Sequence, residues 1–295
     1  MYKILKWGFV PRLPDTKPGN SHADSPAFRA IYKGENFSMS FTLQAACLSH
    51  TGNRRANNED NFYFHDICME EQHTGTHDPL LWEDSLKRES CFAVFDGMGG
   101  ENYGEQASFA AVERLREYVQ QPKQFYISVG KYLYEMSQAL NTAVFEKAQA
   151  LLTSRMGTTM AALYLTPRFA YACNVGDSRI YRLRENVFSQ LSVDHVSARP
   201  MPEGRKAPLS QHLGMDPGEV RMEPHIVKDR LSSGDIFLVC SDGLTDMVPN
   251  VEITEILSST PDVELCANRL LQSALDHGGK DIITLIIDRI TGSAL

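Results

Sequence analysis

Short, nearly unbroken apolar runs recur along the chain: Phe62 to Phe64, Cys91 to Phe95, Phe169 to Val175, Ile180 to Leu183, Ile236 to Cys240 and Ile282 to Ile287. Runs of this length bounded by turn residues predict strands buried on both faces. Between the second and third runs the period changes. Ala107, Ala111, Leu115, Tyr118 and Val119 share one helical face after Gly104 and Glu105, and Leu133, Met136, Leu140, Ala143, Val144 and Ala148 share another. A third helix is expected near residues 262–276. Residues 11–40 are rich in Pro, Gly, Ser, Asn and Asp with weak periodicity, so an N-terminal extension (1–40) precedes a body starting near Phe41. Residues 66–89 read as an inserted loop. Strands and helices are segregated, which predicts an α+β fold of mostly antiparallel sheets covered by helices.

Composition narrows the function. The 295 residues are 42% hydrophobic and 22% charged, an ordinary balance for a folded chain long enough to bury a full core. A net charge of −8 makes nucleic acid and anionic membrane surfaces poor partners. Six dispersed cysteines without a C-x-x-C pair suit free thiols and a cytoplasmic location. No segment reaches the apolar length of a membrane span.

The chemistry concentrates in aspartates at strand ends. Cys91 to Phe95 runs into Asp96-Gly97-Met98-Gly99-Gly100, and Ile236 to Cys240 into Ser241-Asp242-Gly243. Asp177 sits in Gly176-Asp177-Ser178-Arg179, and Asp281 opens the last strand. A lone Asp-Gly is most simply a turn. Four carboxylates meeting at one sheet edge would repel unless a cation were present. The donors are all oxygen, which points to hard ions such as Mg²⁺ or Mn²⁺. Upstream, Gly52-Asn53-Arg54-Arg55-Ala56-Asn57-Asn58-Glu59-Asp60 combines guanidinium groups for a phosphate with carboxylates for metal-bound water. Taken alone, it could equally be a solvated hairpin edge.

Asn58-Glu59-Asp60, Phe95 to Gly100 with Gly104 to Ser108, Met156-Gly157-Thr158-Thr159, Val175 to Arg179, Cys240 to Asp246 and Gly278 to Asp281 resemble, in order and spacing, the motifs of the metal-dependent protein phosphatases of the 2C type, the PPM family in its bacterial form. The resemblance covers residues 41–291. It implies a four-layer αββα sandwich, two antiparallel sheets flanked by helix pairs, with a two-metal centre at one end. It also implies that Asp96 bridges two Mn²⁺ or Mg²⁺ ions and that Asp242 and Asp281 complete one site. The Gly97 carbonyl and water held by Glu59 and Asp60 would serve the other. Asp177 would serve a third, weaker site, and Arg55, with Arg54 as the alternative, would hold the substrate phosphate. The implied reaction is hydrolysis of phosphoserine or phosphothreonine by direct attack of the bridging hydroxide, without a phosphoenzyme. The implied partners are phosphorylated signalling proteins and the Ser/Thr kinase that opposes the enzyme, the chain itself being a monomer.

Three departures and three rivals accompany that resemblance. Ile282 stands where the family usually has Asn, which removes a polar partner of the metal ligands. Met98 replaces a histidine proposed as proton donor in eukaryotic relatives. Residues 197–208 make a short flap, with Arg199, Arg205 and Lys206 among three prolines, which reads either as positive charge for a phosphoprotein or as a tolerated surface loop. Cys173 to Arg179 satisfies the C-x5-R spacing of cysteine phosphatases, but a strand rather than a helix follows it. The glycines after Phe95 lack the third member of a dinucleotide fingerprint. A PPM-fold module that is catalytically weak or inactive and acts by binding or regulation is the remaining alternative, supported by Ile282 alone. His73 and His77 read as a surface tract.

Overall fold

The computed structural model describes residues 40–98, 103–121, 128–199, 201–202 and 206–293, all in one compact unit. Residues 1–39 of the expected extension 1–40, the Gly99-Gly100 pair and Arg205 of the flap lie outside the described residues. Among the described residues twelve strands form two antiparallel sheets. The first is ordered β3 (Leu80–Ser85), β1 (Ser40–His50), β12 (Ile283–Ser293), β11 (Ile236–Cys240), β8 (Arg179–Arg184), β9 (Val187–Gln190). The second is ordered β10 (His225–Arg230), β7 (Phe169–Val175), β6 (Met160–Leu165), β4 (Ser90–Met98), β2 (Asp60–Phe64), with the short β5 (Gly157–Thr158) beside β4.

Alternation along each strand explains the layers. On β4, Phe92 and Val94 point between the sheets, while Cys91, Ala93 and Phe95 point at α1 (Gly104–Gln120) and α2 (Val129–Ala150). On β12, Ile286 and Ile290 point between the sheets, while Ile283, Leu285 and Ile287 meet α3 (Asp242–Thr245), α4 (Asn250–Ser259) and α5 (Val263–Asp276). Each central strand is thus covered twice, which is why it reads as a continuous apolar run. The expected αββα sandwich is what forms. Ser128 caps α2 by accepting from the Lys131 N–H, and Asp262 caps α5 by accepting from the Leu265 N–H.

The inserted loop departs from expectation. Residues 80–85 form β3, pairing from Thr42↔Ser85 to Cys47↔Leu80 at the sheet edge. The physical reason is an edge environment: Leu81 and the acidic residues face solvent, so the run lacks the apolar continuity of a central strand. At its other end the insertion turns back toward β1, with the Thr76 N–H donating to the Ser49 carbonyl at 2.8 Å.

One residue opposes the core. Asp288, paired with Ala45 and Phe237, shares the inter-sheet parity of Ile286 and Ile290, is wholly buried, and has no hydrogen-bond partner for either oxygen. Burial raises its pKa well above the carboxylate range and, with Asp288 itself, raises that of the Cys47 thiol. A folded-state pKa above the unfolded value means that stability is fullest below about pH 4 and falls as pH rises toward the folded pKa. Asp288→Val is therefore expected to stabilise the fold by roughly 1–3 kcal/mol at pH 7. Thermal melts should show a gain in Tm that is larger at pH 7 than at pH 5; an equal or negative change would refute it.

Candidate metal centre

The antiparallel register gathers the acidic strand ends at one pole of the sandwich. Asp60 and Asp96 are direct partners across β2 and β4. Asp242 begins α3 immediately beyond β11, Asp281 precedes β12, and Asp177 occupies the β7–β8 turn. Backbone contacts hold each in place. The Asp96 N–H donates to Thr159 Oγ1 (3.0 Å), and the Asp96 carbonyl accepts from the Thr159 N–H and from Thr158 Oγ1 (both 2.9 Å). The Met156 to Thr159 motif is thus a cradle for Asp96 rather than a ligand set.

The loop carrying Arg55 is stitched to the segment carrying Asp281. The Asn53 N–H donates to the Gly279 carbonyl at 2.7 Å, and Asn53 Nδ2 reaches the Leu275 and Gly278 carbonyls at 3.2 Å. Gly52 adopts φ +72°, and a Cβ there would stand 2.3 Å from the Asp281 carbonyl, so the close approach requires glycine. Arg55 Nη2 consequently lies 3.0 Å from the Asp281 carboxylate. Gly104 plays a similar part, since a Cβ on it would meet the Glu59 carboxylate at 2.8 Å and the Gly97 carbonyl at 2.9 Å. Those two oxygen donors therefore share one small recess.

Electrostatics report the crowding. Burial raises the pKa of Asp96 well above the usual range, and Asp60, Asp242, Asp177 and Asp281 all push it further. Asp60 is raised by burial against the help of the Thr284 and Ser241 hydroxyls, and Asp242 is raised by burial against the pull of Lys206. Asp177 is pushed up to about 6 by burial and Asp242, and Glu59 is raised chiefly by burial. The inner oxygen of Asp60 and the Glu105 Oε2 are buried without hydrogen-bond partners. Such a set of desolvated oxygens fits hard divalent ions of the Mg²⁺ or Mn²⁺ kind. Among the described residues no three acidic, histidine or cysteine side chains already close around a common point. Instead two of the carboxylates are held by the protein's own cations, Asp281 by Arg55 and Asp242 by Lys206.

All the expected site residues therefore meet at this pole: Arg55, Glu59, Asp60, Asp96, Gly97, Asp177, Asp242 and Asp281. Arg54 is exposed beside them. Glu105, which the sequence places in a family motif and at a helix start but not among the site residues, and Lys206, which meets Asp242 and Asp246, also stand at this pole. A buried polar chain was missed, in which Asn58 Nδ2 reaches Ser49 Oγ (2.9 Å), Ser49 Oγ reaches Thr284 Oγ1 (2.8 Å), and the Thr284 N–H donates to Ser241 Oγ (3.1 Å). Ile282 leaves its neighbour a backbone partner, as its N–H donates to Asp281 Oδ1 at 2.9 Å. Cys173 is buried, its thiol pKa raised by desolvation, and Arg179 is held by Asp194, which removes the cysteine-phosphatase reading. Antiparallel pairing throughout removes the dinucleotide fold. His73 is occupied by the Asp60 carbonyl (2.9 Å) and the Gly75 N–H (3.1 Å).

An αββα sandwich with an acidic pole of hard oxygen donors and an adjoining guanidinium defines a metal-dependent phosphate-processing class. The family model for protein phosphatase 2C matches residues 71–276. The serine/threonine phosphatase stp of Listeria innocua is 32% identical over 219 residues, covering 69% of this chain and 86% of that protein. The serine/threonine protein phosphatase PstP of Mycobacterium tuberculosis is 29% identical over 264 residues, covering 84% of this chain and 45% of that one. The crystal structure of the PstP catalytic domain in complex with two manganese ions superposes with a TM-score of 0.68 at 28% identity, covering 85% of this chain and 99% of the other. The chain belongs to the protein phosphatase 2C family, as a bacterial PPM-type serine/threonine phosphatase. No helix among the described residues is long and apolar enough to cross a membrane.

Raised carboxylate pKa values set the pH dependence of the metal-free protein. These groups keep protons in the folded state that the unfolded chain has lost, so stability falls as pH climbs from about 4 through the folded values, including that of Asp177 near 6. Divalent ions relieve the same repulsion and compete with those protons. The increase in Tm on saturation with Mn²⁺ is expected to be larger at pH 7.5 than at pH 5.5, and a pH-independent increase measured by differential scanning fluorimetry would contradict this account.

Proposed function

We propose that this chain dephosphorylates phosphoserine and phosphothreonine in proteins by direct hydrolysis at the acidic pole. The observation that carries the reading is the convergence of Asp60, Asp96, Asp177, Asp242 and Asp281 with Arg55 beside them. Asp96, Asp242 and Asp281, with the Gly97 carbonyl and water held by Glu59 and Asp60, are the groups that would hold two divalent ions. When bound, such ions supply water acidic enough to attack phosphorus and positive charge for the phosphoryl oxygens.

The remaining work falls to protein groups. Arg55 presents a planar fork at the rim, half exposed, where it can exchange its hydrogen bond to Asp281 for a phosphate oxygen. Thr158, Thr159 and the Ser178 hydroxyl, 2.6 Å from Thr159 Oγ1, keep Asp96 from moving when its charge is neutralised. Cys173, the candidate for a phosphoenzyme nucleophile, is wholly buried. The reading as an inactive module rested on Ile282, and its backbone N–H still orients Asp281. Phosphoproteins made by a Ser/Thr kinase are the substrates this implies, in keeping with a role in signalling.

Hydrolysis of a phosphothreonine peptide should require Mn²⁺ or Mg²⁺ and stop on chelation. Asp96→Asn, folded by circular dichroism, should lose at least ~10³-fold in kcat. Near-normal turnover in that variant, or activity indifferent to chelator, would end the proposal. Arg55→Ala should act differently: loss of one charged phosphate contact is expected to raise KM about 10- to 100-fold while Mn²⁺ binding persists. An unchanged KM would remove Arg55 from phosphate binding.

A further inference from the structure

The side chain of Lys206 enters the acidic pole from the flap. Its ammonium contacts Asp242 Oδ2, lies 2.8 Å from Asp246 Oδ2 and 3.8 Å from Asp177 Oδ2. We propose that Lys206 is a tethered cation filling the outer position between Asp177, Asp242 and Asp246, so that this chain binds two divalent ions and carries its third positive charge covalently. The proposal rests on the reading of the pole as a metal centre and replaces the expected third metal site with a side chain.

Three observations support it. The first is direct competition for the same atoms. A Mg²⁺ or Mn²⁺ ion bonds carboxylate oxygens at about 2.0–2.2 Å, so an ion on the outward Asp242 Oδ2 would sit against a fixed ammonium. Ammonium and an outer ion compete for these oxygens, whereas Lys206 has its contacts with Asp177, Asp242 and Asp246 and leaves Asp96 to the inner ions.

The second is anchoring of the segment. Two residues beyond Lys206, the Pro208 carbonyl accepts from the Ser197 N–H at 2.8 Å, and Val196 pairs with Leu209. The Ser210 N–H donates to the His195 carbonyl (2.8 Å), and the His195 N–H donates to the Gly176 carbonyl (2.9 Å), one residue before Asp177. Lys206 is thereby fixed relative to the very turn that carries one of its three carboxylates. Pro208, two residues on, restricts the backbone beside it.

The third is charge balance. Asp246 gives the outer position a third carboxylate, half exposed and not required by the inner ions. A tethered monovalent cation neutralises this outer face at any ambient concentration of divalent ion, as an intramolecular group acts at a high effective concentration. Lys206 is itself half exposed, so its ammonium stands between solvent and the carboxylates without sealing the pole.

The test counts ions. Equilibrium dialysis of the full chain with Mn²⁺, taken well beyond saturation of the inner sites, should give two ions per chain for the native protein and three for Lys206→Met. Lys206→Arg should remain at two, and adding Asp177→Ala to Lys206→Met should bring the count back to two. Three ions in the native protein, or two in a folded Lys206→Met, would overturn the proposal. The native count stands even if a variant fails to fold. No ions in the native protein would instead overturn the metal-centre reading, and a phosphopeptide assay on the same sample separates the two failures.

Discussion

Like charges brought together out of water are the constraint around which this molecule is arranged. Five aspartates at one pole come from positions as far apart in the chain as Asp60 and Asp281, and each raises the cost of ionising the others. Folding supplies the convergence through a geometric route. Antiparallel pairing places the C-terminal ends of β4, β7 and β11 beside the N-terminal ends of β2 and β12, so acidic residues at alternate strand ends gather without any local sequence relationship. Burial between two sheets and two helix layers must drive that assembly against the electrostatic cost, and the cations that come to the pole then recover part of it.

This arrangement explains which features were legible in the chain and which were not. β7 and β11 run from Phe169 to Val175 and from Ile236 to Cys240, the bounds their apolar runs suggest, because both faces of each are covered. β1 escaped notice although it is a long interior strand: Ser40–His50 mixes small and polar residues, and its pairing with β12 and β3 depends on neighbours distant in sequence. β3 and β10 lie at sheet edges, where charged positions such as Glu83, Lys228 and Arg230 face solvent and dilute the pattern. α4 was missed for a related reason, since Val251 and other outward residues break its apolar stripe. The acidic positions stood out because Asp96, Asp177 and Asp242 each adjoin a glycine, Gly97, Gly176 and Gly243, that the close packing demands.

What could not be read from spacing is the choice of partners. That Arg55 reaches Asp281 depends on Asn53 and Gly52 locking one loop onto another more than 200 positions away. That Lys206 reaches Asp242 depends on the flap's base being tied to the β7–β8 turn through His195. A sequence pattern lists the charges; only the tertiary hydrogen bonds decide which cation meets which carboxylate.

The two cations pair with different carboxylates of the acidic pole, and their surroundings give them different capacities. Arg55 makes its ion pair with Asp281 alone, both groups nearly half exposed, and an exposed pair of this kind is held by little and exchanges readily. Lys206 meets three carboxylates, two of which are mostly buried, and no single approaching anion could replace that whole set. A phosphate entering the pole would therefore draw Arg55 away from Asp281 before it could draw Lys206 from Asp242 and Asp246. Asp281 would then be released as an inner ligand while the outer face stayed neutralised. The asymmetry follows from contact number and burial, and under the proposed function it would suit the guanidinium to substrate recognition and the ammonium to charge balance.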